Sequence, residues 1–147
     1  MKLSVIIVNF NGARFIRDCL DSIISQKKFY SQFKIIFIEN ASEDHSLDII
    51  NDYINDIELI VNQENVGFPA AHNQILDQLD TPYLWLLNND TQFDHSIDVI
   101  SPIIDYLDSH EDVVGLSPML LNTDGSLQSQ GGGINSWKYR SKKITEV

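Results

Sequence analysis

The stretch Leu3-Ser4-Val5-Ile6-Ile7-Val8, closed at once by Asn9-Phe10-Asn11-Gly12, decides the fold. A β-branched apolar run without polar alternation reads as a strand buried on both faces, and Asn and Gly after it are turn residues. Working outward, Ile16, Cys19, Leu20, Ile23 and Ile24 recur at helical spacing, with Arg14, Arg17, Asp18 and Asp21 on the wet side. Phe33–Ile38 reads as a second buried strand, followed by the N-cap-rich loop Glu39-Asn40-Ala41-Ser42-Glu43-Asp44 and a helix carrying Leu47, Ile50 and Ile54. Ile57–Val61 is a third strand, Asn62–Gly67 a loop and Ala70–Leu79 a third helix. Pro82 opens Tyr83-Leu84-Trp85-Leu86-Leu87, the most apolar strand, which runs into Asn88-Asn89-Asp90. Strands apolar on both faces and separated by helices predict an α/β fold: a mostly parallel, doubly wound sheet flanked by helices.

After Asp90 the rhythm changes. Ser101-Pro102 reads as an N-cap followed by a first-turn proline, with Ile103, Ile104 and Leu107 facing inward. Val113–Leu116 is read as a fifth, buried strand and Met119–Leu121 as a short sixth before the turn Asn122-Thr123-Asp124-Gly125. Gly131-Gly132-Gly133 reads as a hinge or close-approach loop, and no element is expected beyond it.

A chain of 147 residues with 43% hydrophobic residues has the material for one core. Ten Lys and Arg against 21 Asp and Glu give a net charge of −11, which excludes nucleic acid binding through a basic face. The last ten residues run the other way: Lys138, Arg140, Lys142 and Lys143 face only Glu146. That tail reads first as a solvated end and, as the weaker alternative, as a peripheral contact with an acidic membrane surface. Cys19 is the single cysteine, so no internal disulfide forms; its place in an apolar helical stripe makes it a buried structural thiol. With no signal-peptide pattern at the start and no apolar run long enough to span a bilayer, the expected location is cytoplasmic.

In open parallel sheets, ligands bind beyond the carboxyl ends of the strands. The loops there, Asn9–Gly12, Glu39–Ser42, Asn62–Phe68 and Asn88–Thr91, supply amides, carboxylates and aromatic rings. Such residues are also ordinary turn formers, but four loops of one kind at one edge favour a site. Neither G-x-G-x-x-G nor a Walker A loop follows the first strand, which counts against dinucleotide oxidoreduction and P-loop hydrolysis. With few cations nearby, phosphate binding calls for a hard divalent ion, Mg²⁺ or Mn²⁺, on Asp90. His45, His72, His95 and His110 lack metal-ligand spacing and read as surface or helix residues, not a zinc site.

These segments resemble the family 2 glycosyltransferases, which have a GT-A fold, and most closely their rhamnosyltransferase-like branch. The matching stretches are Ser4–Gly12, Ile38–Asp44, Glu64-Asn65-Val66-Gly67-Phe68-Pro69-Ala70-Ala71-His72-Asn73 and Leu86-Leu87-Asn88-Asn89-Asp90-Thr91. The resemblance implies a nucleoside-diphosphate sugar donor, with Asn9, Phe10 and Asn11 holding base and ribose and Glu39 bonding the base beside Asn40. It also implies that Asn65, Gly67, Phe68 and Asn73 line the nucleotide and sugar side. Asn88-Asn89-Asp90 would stand for the family's D-x-D element, Asp90 being the metal ligand. Glu39 replaces the usual Asp, Asn88 replaces the first acid of D-x-D, and His72 stands where Arg is often found.

The implied reaction is an inverting transfer to a hydroxyl of a glycan or lipid-linked acceptor in cell-surface glycan synthesis. The family's general base lies in an acidic motif well after D-x-D, and no such motif is found; Glu111-Asp112 reads as a helix-to-strand turn. The expectation is therefore a donor-binding domain over residues 1–121, with 122–147 starting an acceptor-side region that continues beyond the chain. The rival readings are a non-catalytic nucleotide-sugar-binding module and, disfavoured by the missing Gly-rich basic signature, a nucleotidyltransferase.

Overall fold

In the computed structural model, which describes residues 1–135 and 141–142, a parallel four-stranded sheet has the order β3-β2-β1-β4. Its strands are β1 (Leu3–Asn9), β2 (Phe33–Glu39), β3 (Glu58–Val61) and β4 (Tyr83–Asn88). Three helices connect them: α1 (Ala13–Ser25), α2 (Ser46–Asn51) and α3 (Phe68–Asn73). Because the chain moves outward from β1 to β3 and then returns to the far side of β1, the winding direction reverses between β1 and β4. That reversal opens a crevice at the carboxyl ends of these two strands.

Strand parity sorts the core into two faces. Ile6, Val8, Ile36 and Ile38 pack with Ala71 and Ile75 from the α3 segment. Val5, Ile7, Ile35 and Phe37 are buried on the opposite face, where right-handed crossovers carry α1 and α2. The predicted stripe of α1 is borne out: Ile16, Cys19, Leu20 and Ile23 are buried. Asp44 ties the first two helices together, accepting from the Ala13 N–H through Oδ2 at 3.0 Å and from the Ser46 N–H through Oδ1 at 3.0 Å.

Burial on both faces holds for β1 and β2 but not for the outer strands. Leu84 and Leu86 of β4 are 41% and 51% exposed, because an outer strand has fewer neighbours to cover it. The third helix is also shorter than expected. It ends at Asn73, and a single 3₁₀ turn follows over Leu76–Gln78. The apolar spacing Ala71–Ile75 serves the core without a continuous helix.

The chain divides into two compact units, Met1–Asp98 and a second from Val99 on. The second holds α4 (Ile100–Ser109), an antiparallel sheet β5-β8-β9 and a hairpin of β6 and β7. These strands are β5 (Val113–Ser117), β6 (Leu120–Leu121), β7 (Leu127–Ser129), β8 (Gly132–Asn135) and β9 (Ser141–Lys142). Helix α4 starts before Ser101, and Pro102 still falls in the first turn, where its missing N–H costs nothing. Ile100 and Ile104 are its buried residues, while Ile103 and Leu107 are half-buried. β5 is not the buried strand expected, with Val114 64% exposed.

The β6–β7 turn is built as its sequence suggests: the Gly125 N–H donates to the Asn122 carbonyl at 2.9 Å, with Gly125 at φ +80°. Of the three consecutive glycines, Gly131 makes a close approach. Its φ is +68°, and a Cβ there would lie 2.4 Å from the Ser117 carbonyl oxygen. Gly132 and Gly133 belong to β8, an element not expected from the sequence because Gly-Gly-Ile-Asn has no strand signature. Of the basic tail, Lys138, Arg140 and Lys143 lie outside the described residues, as does Glu146.

Candidate functional site

The loops after β1, β2, β3 and β4 meet at the crevice and lock one another. Asn40, 1% exposed, is the centre of one lock. Its Oδ1 accepts from Asn62 Nδ2 at 2.9 Å and from the Val66 N–H at 3.2 Å, and its Nδ2 donates to Asn65 Oδ1 at 2.7 Å. Asn65 Oδ1 also accepts from the Gly67 N–H at 2.9 Å. Gly67 sits at φ +82° with open space around it, so glycine is required there by backbone conformation alone.

The second lock joins β1, β2 and β4. Asn9 and Glu39 are register partners and both are buried. Asn9 Nδ2 donates to Glu39 Oε2 at 2.7 Å, and Glu39 Oε1 accepts from the Ser42 N–H at 2.7 Å. Asn9 Oδ1 accepts from Asn89 Nδ2 at 2.6 Å. Ser42 Oγ accepts from the Asn11 N–H at 2.8 Å, and Asn11 Oδ1 accepts from the Glu43 N–H at 2.8 Å. Between these anchors Ala41 is held at φ +62°, a left-handed conformation uncommon for a residue with a Cβ. Gly12 closes against the second lock: a Cβ on it would fall 2.3 Å from both Asn89 Nδ2 and Asn9 Oδ1.

A cleft of about 390 Å³ opens over these loops. Of the residues expected to form a site, Phe10, Asn40, Asn65, Gly67 and Phe68 line it on one side and Asn88, Asn89 and Asp90 on the other. Val8 also lines it, and no Lys or Arg is among the lining residues. Asn9, Asn11, Glu39 and Asn73 do not line it. Parity explains the first and third: Asn9 follows Val5 and Ile7, and Glu39 follows Ile35 and Phe37, onto the face away from α3. Val8, Asn40 and Asn88 share the other parity, and Val8 and Asn88 are register partners. Asn11 and Asn73 are exposed.

Two buried groups support the lining. Cys19 is 1% exposed, and its thiol donates to the Asn88 carbonyl at 3.8 Å. Burial, and secondarily the charge of Asp90, pushes that thiol up to about 12. His72 of α3 is 4% exposed, with Nδ1 2.7 Å from the Phe68 carbonyl oxygen and its ring 4.2 Å from the Phe68 ring. Sequence reasoning missed Ser42, Asn62 and Gly12 as site supports. The signal for the first two was their place in strand-end loops; for Gly12 it was a glycine facing an amide across the switch point.

As a metal-binding set the cleft is sparse. Among the described residues no three His, Cys, Asp or Glu side chains come together to hold an ion. Asp90 contributes one exposed carboxylate, with the Asn88 and Asn89 amide oxygens beside it in sequence. Hard oxygen donors around a single carboxylate suit Mg²⁺ or Mn²⁺ that brings its remaining ligands as phosphate oxygens and water.

Comparison with known proteins agrees with this architecture. The teichoic acid poly(glycerol phosphate) polymerase of Staphylococcus epidermidis is 33% identical over 95 residues, covering 62% of this chain and 13% of that protein. Staphylococcus aureus poly(ribitol-phosphate) beta-N-acetylglucosaminyltransferase TarS is 26% identical over 122 residues, covering 81% of this chain and 21% of TarS. The crystal structure of TarS in complex with UDP-GlcNAc superimposes with a TM-score of 0.65 at 21% identity, over 85% of this chain and 42% of that one. The mannosyltransferase PcManGT of Pyrobaculum calidifontis, in complex with GDP-Man and Mn²⁺, gives 0.66 at 17% identity, over 82% of this chain and 36% of that one. These likenesses establish the GT-A fold. The chain spans less than half the length of each of these proteins. None of the three is named as a rhamnosyltransferase, and that branch is not carried forward. A family model described as Glycosyl transferase family 2 matches residues 4–145, and the chain belongs to that family.

Proposed function

We propose that the chain forms the donor-binding portion of a glycosyltransferase of cell-surface glycan synthesis. The enzyme would transfer a sugar from a nucleoside-diphosphate sugar, with inversion and with a divalent metal, to a hydroxyl of a glycan or lipid-linked acceptor. The observation that carries this reading is the switch-point cleft, lined by amides, one carboxylate and two aromatic rings and by no Lys or Arg. A cleft of that composition suits a neutral base and sugar and leaves diphosphate charge to be offset by something other than side-chain cations.

Phe10 and Phe68, each nearly half exposed, offer apolar surface on which a base or sugar ring can lie. Asn40 and Asn65 shape the loop between them. Asp90, with Asn88 beside it, would hold Mg²⁺ or Mn²⁺, which when bound offsets the charge building on a departing diphosphate. Asn9, Asn11 and Glu39 support these groups from behind, and Asn73 reaches the sugar side only if the loop adjusts on binding. The general base is not assigned to this chain. The second reading is a nucleotide-sugar-binding module that does not itself catalyse. The two readings differ in whether the whole protein, supplied with donor and acceptor, releases nucleoside diphosphate. No helix among the described residues is long and apolar enough to cross a membrane. We place the donor-binding step on the cytoplasmic side.

Titration calorimetry with UDP, GDP and dTDP, each with and without Mn²⁺, tests the reading. One nucleotide should bind in a metal-dependent way, and Asp90→Ala should weaken it by roughly tenfold or more, the scale of a lost charge-assisted contact. Binding indifferent to both metal and Asp90 would remove the basis of the proposal.

A further inference from the structure

The lock between β1, β2 and β4 has a direction. Both oxygens of Glu39 accept, one from the Ser42 N–H and one from Asn9 Nδ2. An acceptor at that position fixes the Asn9 amide with its nitrogen toward Glu39 and its oxygen toward Asn89. Asn89 must then present its nitrogen to Asn9, as it does at 2.6 Å. What Asn89, which lines the cleft, has left is the second N–H of its nitrogen and its amide oxygen, the side chain's one acceptor, which has no hydrogen-bond partner among the described residues.

We propose that Glu39 is a positioning residue that acts through the Asn9 amide to hold Asn89 with its oxygen available to the ligand. Residue 89 then accepts through that oxygen from a hydroxyl of the donor or from a metal-bound water. Glu39 thereby serves the β4 loop and not the nucleobase. This rests on the donor-site reading above. Gly12 is part of the device, because any Cβ there would enter the space of the Asn9–Asn89 bond.

The direction makes the test specific. In Glu39→Gln, the side chain at position 39 has a single acceptor oxygen. If the Ser42 N–H keeps it, the introduced amide nitrogen faces Asn9, Asn9 turns over, and Asn89 turns its nitrogen into the cleft. In Asn89→Asp, the Asn9 oxygen meets a carboxylate oxygen with no hydrogen between them, and turning Asn9 over only moves the same conflict to Glu39. In the double variant Asn9 turns over, accepts from the new amide at position 39 and donates to the new carboxylate at position 89, so the chain of bonds closes again.

Thermal melting without ligand should show Asn89→Asp several degrees below wild type and Glu39→Gln restoring a large part of the loss. If Asn89→Asp does not fold, a folded double variant is the same rescue. Calorimetry with UDP should show Glu39→Gln weakening binding roughly tenfold, the effect of one buried acceptor replaced by a donor. A loss present only with Mn²⁺ identifies a metal-bound water as the partner, and a loss with and without it identifies a ligand hydroxyl. Additive losses in the melting cycle, with no rescue, would overturn the relay. Absence of UDP, GDP or dTDP binding by the wild type would instead overturn the donor-site reading, and the melting cycle would still decide the relay.

Discussion

Cys19 shows how much of the site rests on side chains that never meet a ligand. Its thiol lies on the buried stripe of α1 and bonds the Asn88 carbonyl, one strand end away from Asp90. Because its folded pKa stands at about 12, above the unfolded thiol value of ~8.5, its contribution to stability is complete below the unfolded value. It is lost as the pH rises from there through the folded one. The denaturation midpoint should therefore fall between about pH 8 and about pH 10, and Cys19→Ala should flatten that slope. A thiol reagent should label the native protein only at the rate of its unfolding. Fast labelling of the native state would contradict the burial on which this rests.

At this scale the sequence marked which loops form the site but not which way each side chain turns. Asn9 and Phe10 are adjacent, and strand parity puts Phe10 in the cleft and Asn9 beneath α1's side of the sheet. Applied to Glu39 and Asn40, the same period-two count separates a buried support from a lining residue. The turn at Ala41 had no such signal, since alanine is an unexpected occupant of a left-handed position.

The elements read most clearly are those whose burial is complete. β1 and β2 each present an unbroken apolar run and α1 one helical period, and each appears where the sequence placed it. β4 and the α3 segment are less legible, because apolar content alone fixes neither burial nor helix length. β8 carries no strand signal, since two of its four residues are glycines. Asp44 belongs to this scale, because one carboxylate holds the first residue of α1 and the first of α2. Its modest burial opposes ionisation, but hydrogen bonds from Ser46 and the Ala13 N–H outweigh it and hold the carboxyl below the usual carboxylate range. A lowered carboxyl pKa contributes stability above its unfolded value and loses it as the pH falls through the folded one. Asp44→Ala should cost about 1 kcal/mol at neutral pH, the scale of a lost helix cap, and the difference from wild type should vanish in acid. Chemical denaturation at the two pH values measures this.

For the whole chain, the reversal of winding between β1 and β4 is the feature from which the functional reading follows. Sequence alone supplied the strands and the loops at their ends, but not the strand order. The order β3-β2-β1-β4 makes the loop after β1 and the Asn88-Asn89-Asp90 turn neighbours. In place of basic side chains, amides that satisfy one another fix the loops, leaving Asp90 as the only charged group of the lining.

Because Mn²⁺ broadens nuclear resonances near it, an amide nitrogen–proton correlation spectrum taken with UDP and substoichiometric Mn²⁺ locates the ion on the chain directly. Broadening should concentrate on residues 88–91 and on the loop at residues 9–12, sparing the opposite end of the sheet around Lys34 and Glu58. Broadening centred on Lys34 and Glu58, or none that depends on UDP, would contradict the assignment of the switch-point cleft as the donor site.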